Sequence, residues 1–301
     1  MLTNTENAKF IPTIIAQKAL GRFGSYMNLA KTVARDFEFT PATVGQTLNI
    51  PKRGTVQANA KVAGSDVTVQ SPTATDVSVT LDQHWEATIS IDDVTKVLQN
   101  QDTMDGYAED MAIALAEKVE SKLAALHTSL TNTVTFDTTS DETMENSFLK
   151  LRERLILNKV PKTERIYAYL HPTVVTKLLG VDKFSRADAY GKAGIIAEGA
   201  LLRLAGIDIF ESQLVESTGS PVAYHNLAYS KNAFVLAARP LPSVPAGFGA
   251  VSTVISDPDI NLGLRVVSSY DANKLAMQIT LDVLFGVALL DDRRVVELES
   301  F

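Results

Sequence analysis

The sequence predicts an α+β protein of two packed regions, and three observations carry that expectation. Apolar residues recur every three or four positions from Met104 to Leu130, the stretch from Gly54 to His84 alternates without large apolar side chains, and residues 251–301 read as successive strands. With 301 residues the chain exceeds the usual size of one compact core. A hydrophobic content of 46%, a charged content of 21% and a mean hydropathy of +0.06 describe a folded chain with no room for a large disordered fraction.

The net charge of -7 and a pI near 5.2 argue against general affinity for nucleic-acid phosphates, which requires a basic surface. Contact with DNA at close quarters is not excluded. The absence of cysteine removes disulfides and thiolate metal sites. Met1 to Phe10 is polar where a signal peptide would be basic and then apolar, so secretion by that route is not expected. No membrane association is expected either, because the longest apolar candidate, Leu281 to Leu290, is interrupted by Asp282. The chain should be soluble or held in an assembly.

Pro12 suits a first helical turn, and the apolar spacing from Ile14 to Val33 gives two short helices over 12–20 and 26–34, with Gly21 and Gly24 weakening the middle. A strand at Thr47–Ile50 meets a basic breaker, Pro51-Lys52-Arg53-Gly54. A long hairpin then spans Gly54 to His84, with alternation at Val67–Val69 and Val77–Leu81, and too few large apolar residues to own a core. Trp85–Ile91 reads as a strand. The clearest element is one long helix behind a cap at Asp102, its inward stripe running through Met104, Tyr107, Met111, Leu115, Val119, Leu123, Leu126 and Leu130. About 27 residues at about 1.5 Å each reach about 40 Å.

A second helix over Met144–Asn158 turns Phe148, Leu151, Leu155 and Ile156 inward, and Pro161 closes it. Ile166–Leu170 is a strand, His171-Pro172 a turn and Thr173–Leu179 a helix. Mixed elements continue through Leu201–Phe210 and Ala233–Ala238, and strands follow at Leu262–Ser269, Lys274–Phe285 and Val287–Leu290.

Chemical motifs are sparse. His84, His127, His171 and His225 lie far apart and none has a second ligand at metal spacing, so each is read as structural. Gly191-Lys192-Ala193-Gly194 lacks the order of a phosphate-binding loop, and no G-x-S-x-G elbow is present. The pairs Asp92-Asp93, Asp257 with Asp259, and Asp291-Asp292 could in principle serve acid-base chemistry. The last adjoins Arg293-Arg294 and reads as a local ion-pair cluster. Glu109, Asp110, Glu117 and Glu120 read as the solvated flank of the long helix. No catalytic, cofactor-binding or metal site is expected, and the chain is not read as an enzyme.

The order of elements resembles the major capsid protein of tailed double-stranded-DNA bacteriophages, over nearly the whole chain. The segments that carry it are Phe10–Ala16 with Val33–Phe37, Gly45–Pro51, Val79–Gln83 with Ile89–Asp93, His171-Pro172, Leu204–Ile209 and Ala237–Leu241, which look like the Salmonella-phage coat-protein branch of the Hong Kong 97-type capsid fold. The resemblance implies an N-terminal arm and short helices over 1–46, an extended loop with flanking strands over 47–91, and a peripheral domain with a spine helix over 92–160. An axial domain over 161–250 and C-terminal strands over 251–301 that return to the peripheral domain complete it. It further implies self-assembly into hexamers and pentamers of an icosahedral shell around double-stranded DNA, bound without sequence preference. Its place would be the virion, assembled in the host cytoplasm.

Some members of the family carry a large inserted domain, for which this chain has no comparable segment. Others begin with a cleaved scaffolding segment. With only about ten residues ahead of Ile11, the expected partners are a separate scaffolding protein, a portal and a possible decoration protein. Lys52, Arg53, Lys61, Asp66 and Asp76 are the candidate intersubunit contacts. Some members join a loop lysine such as Lys61 to a neighbour's asparagine, although a lysine also simply keeps an edge soluble. The alternatives are an encapsulin-like protein compartment and, from another class, a soluble α/β enzyme.

Overall fold

The computed structural model describes residues 16–35, 47–52, 54, 56–92, 101–181, 203–245, 249–257 and 262–301, with backbone alone for 101–105 and 257. Helices and three sheets make an α+β fold organised around one long helix, Gln101–Ala124, which ends in a 3-10 turn at Ala125–Ser129. Asp102 lies inside that helix instead of capping it. Leu115, Val119 and Leu123 are buried along its inner face as their spacing requires, whereas Tyr107 is 44% exposed. Among the described residues no helix is long and apolar enough to cross a membrane.

The long helix lies on a five-stranded antiparallel sheet. Its centre is β13 (Ala276–Leu289), flanked on one side by β12 (Leu262–Asp271) and then β11 (Ala250–Asp257). On the other side β3 (Gln83–Asp92) and β10 (Phe234–Ala238) pair with β13 in tandem, meeting at Phe285. The expected break between Phe285 and Val287 does not occur, and the strand runs straight through Gly286. A Cβ at position 286 would lie 2.2 Å from the Thr80 carbonyl oxygen, so only glycine lets the Thr80–Leu81 backbone pass there.

A seven-stranded sheet contains β4 (Thr133–Phe136), β14 (Val295–Ser300), β9 (Ala223–Ser230), β5 (Ile166–Leu170), β7 (Ile207–Glu211) and β6 (Arg203–Leu204) in that order, with β8 (Ser217–Thr218) beside β9. Both faces are covered. Tyr169, Leu227, Tyr229 and Val295 join the core of the long helix, while Ala168, Leu170, Ala228, Val296 and Leu298 face a second core. That second core is capped by helices Asp141–Leu157 and Pro172–Gly180. The first is started by Ser140, whose hydroxyl accepts from the Thr143 N–H while the Thr143 hydroxyl accepts from the Ser140 N–H.

Several expectations change. The helix over Asp141–Leu157 packs on the seven-stranded sheet, and Ile156, expected inward, is 39% exposed on its outer side. Of the C-terminal strands, β11–β13 build the sheet under the long helix and β14 enters the other sheet. Among the described residues helix covers 16–25 and Leu29–Thr32, with Gly21 and Gly24 inside the former and the break at 26–28, while the expected start at 12–15 lies outside them.

Candidate assembly surface

The hairpin has an anchored base and an unanchored tip. β1 (Thr47–Lys52) pairs antiparallel with β2 (Thr75–Thr80), from Thr47 opposite Thr80 to Lys52 opposite Thr75. Ile50, Val79 and Leu81 are buried there against Val235 and Ala237 of β10. The base therefore owns a small core, contrary to the expectation of a coreless hairpin. Above Lys52 the ladder stops, and Val67–Val69 is not a strand.

In the tip, side chains replace the ladder. The Gln70 carboxamide accepts from the Gln57 N–H at 2.9 Å and donates to the Gln57 carbonyl at 2.5 Å. A turn closes at Val62–Ser65, where the Ser65 N–H donates to the Val62 carbonyl at 3.2 Å and Gly64 takes a φ of +83°. Val56, Val62, Val67 and Val69 are 67–84% exposed, so the tip presents apolar side chains to solvent with no core beneath them.

Of the candidate contact residues, Lys61 and Asp66 are exposed in the tip and line the cleft between its two arms, and Asp76 is exposed on β2. Lys52 is half-buried and donates to Asp291 at 2.8 Å, so its charge is engaged within the chain. Arg53 lies outside the described residues, as do Asp93, Asp259 and residues 191–194. Asp291 also receives the Arg293 guanidinium at 3.1 Å. Burial alone would push its carboxyl up, but the bonds from Arg293 and Lys52 outweigh this and hold it down to about 2. Arg294 joins Asp291 at 3.5 Å and reaches Glu164, so the ion-pair reading of this cluster holds.

Three buried polar groups escape a sequence reading. Glu120 is 1% exposed instead of lying on the solvated flank. Glu109, on the same expected flank, pairs with Arg22 at 2.8 Å. Asp282 is buried beneath Arg265, with Nε at 3.0 Å and His84 Nε2 at 3.2 Å. His127, His225 and Glu297 converge although 98 and 72 positions separate consecutive members (225 − 127 and 297 − 225). Inward spacing in the long helix was the available signal for Glu120; the convergence of the histidines had none.

The histidine cluster has the donor types of a metal centre but not the geometry of one. The two rings stack with centroids 4.0 Å apart and planes 13° from parallel. An ion about 2.0 to 2.1 Å from an imidazole nitrogen lies near the plane of that ring, and near-parallel planes so separated leave no common point for it.

Among solved structures the chain is similar to that of Mycobacterium phage Che8, with a TM-score of 0.65 and 17% identity over 92% of this chain and 90% of that one. The capsid structure of the cyanophage P-SCSP1u matches with a TM-score of 0.63 and 15% identity, over 90% and 86%. A virus-like particle from Pyrococcus furiosus matches with a TM-score of 0.53 and 11% identity, over 94% and 97%. No protein-family model and no curated protein matches the sequence. Nearly the whole chain thus has the Hong Kong 97-type fold of phage capsid structures.

Proposed function

We propose that this chain is a major capsid protein, a structural and non-catalytic subunit that assembles as hexamers and pentamers into an icosahedral shell around double-stranded DNA. The observation that carries the reading is the fold shared over about nine-tenths of the chain with phage capsids, such as the mature capsid of bacteriophage PhiM1 at 89% coverage of each chain. The hairpin tip supports it. Four exposed valines on a segment without a core are a liability in a monomer and a resource where a neighbouring copy covers them. On this reading Lys61, Asp66 and Asp76 meet adjacent subunits, and the chain resides in the virion after assembly in the host cytoplasm. A scaffolding protein, a portal and a decoration protein are its further partners.

Electron microscopy of the expressed protein tests the proposal. Closed shells of uniform size are the expected result, and particles recovered from a natural source should contain DNA. Enclosed protein cargo would instead favour a compartment shell. A stable monomer of 32.6 kDa with a ligand-filled pocket would overturn both readings in favour of a soluble enzyme.

A further inference from the structure

His127 sits in the 3-10 turn that ends the long helix, His225 on β9 and Glu297 on β14, all less than a tenth exposed. Glu297 Oε1 lies 2.5 Å from His225 Nδ1 and 3.5 Å from His127 Nδ1, while Oε2 accepts from the Thr133 hydroxyl at 3.1 Å. His225 Nε2 meets the Thr218 hydroxyl at 2.6 Å, and the His225 N–H donates to the Glu216 carbonyl at 2.9 Å. One carboxylate thus faces two stacked imidazoles at the joint between the long helix and the seven-stranded sheet.

We propose that this cluster is a proton-operated latch, closed while at most one of the two histidines is charged and released when both are. One imidazolium is balanced by Glu297. A second proton places like charges in rings 4.0 Å apart, at side chains less than a tenth exposed. Three other carboxylates belong to the elements around the cluster. Glu216 is half-buried on the segment before β8, Glu299 stands opposite His225 in register, and Asp292 is committed to the Thr131 hydroxyl and N–H beyond the turn.

Burial, reinforced by the neighbouring His225, pushes His127 below the ordinary histidine range against the opposing pull of Glu297 and Glu216. The sign follows from that depression. The stabilisation is complete above the unfolded-state value of 6.5 and is lost as pH falls through the lower folded-state value. Release would loosen the turn and the β14–β9 contact while leaving β11 and β12 in place.

Backbone hydrogen exchange tests this on the wild-type chain at about pH 7.5 and about pH 5.5, spanning the histidine range and corrected for intrinsic exchange. Protection over 125–133 and 295–300 should fall several-fold on acidification, with that over 250–257 and 262–271 unchanged. In His127→Gln, which cannot take the second proton, the fall should disappear. Should that variant not fold, His127→Phe keeps the stacking without titration and should behave alike. Unchanged protection in the wild type, or the same fall in a folded variant, overturns the latch. So does a rise in thermal midpoint on adding zinc ions to the wild type, which would make the cluster a metal site.

Discussion

The N–H groups of Leu29 and Ala30 end on the carboxylate of Glu120, at 3.0 and 2.8 Å. These donors open the short helix Leu29–Thr32 and have no partner within it, so a side chain from the long helix supplies the acceptors. Burial pushes the Glu120 carboxyl up, partly countered by the donated bonds from Ala30 and Leu29. Its contribution is therefore fullest below the ordinary glutamate value of 4.5 and declines as pH rises through the raised folded-state value. Glu120→Ala leaves two buried donors unmatched and is expected to cost about 2 to 5 kcal/mol, read by thermal unfolding. Glu120→Gln does not titrate, so its stability should vary less with pH across that window. Position 120 is four residues after Ala116 and three before Leu123, both buried, so spacing directed it inward while its charge directed it outward. The residue type was the weaker guide.

At the scale of elements, periodicity and burial agree best in the long helix. Leu115 and Leu123 are 2% and 0% exposed, and Leu123→Ala or Leu115→Ala is expected to lower subunit stability by about 2 to 5 kcal/mol. Circular dichroism melting would check it, and folding should suffer before assembly does. The strands that a sequence reading does not place one by one are β4, β8, β9, β11 and β14, and for β9 and β14 the reason is physical. A strand buried on both faces loses the alternation by which strands are recognised. In β9, His225, Asn226 and Ser230 are polar yet buried. Asn226 accepts from the His171 N–H at 2.7 Å and donates to the Leu298 carbonyl at 2.9 Å, partners that lie on other strands and connections. Such satisfaction is tertiary and leaves no local trace. β4 hid in a polar stretch, with Val134 and Phe136 inward and Thr133 and Thr135 outward in only four residues.

For the whole molecule, the net charge of -7 is expected to keep the purified subunit from binding duplex DNA tightly at physiological ionic strength. A gel-shift titration across salt concentrations would show otherwise if affinity were high and fell steeply. The hairpin makes the sharper test of assembly, and its two-part construction dictates where to cut. Removing β2 would strip Val79 from the core it shares with Ile50 and Val235, so loss of shells after that deletion would only report misfolding. A cut confined to 58–69, replaced by a short Gly-containing turn between Gln57 and Gln70, spares the β1–β2 ladder and the carboxamide bridge at its end. It removes Val62, Val67 and Val69 together with Lys61 and Asp66. From Lys52 to Gly64 the chain can extend at most about 40 Å, enough to lie across an adjacent subunit. The shortened protein is expected to show the circular dichroism and melting of the full chain, because no buried residue is lost, and to sediment as subunits or small oligomers instead of closed shells. Normal particles from this variant would show that the tip carries no essential contact. Global unfolding would show that the tip supports the fold itself.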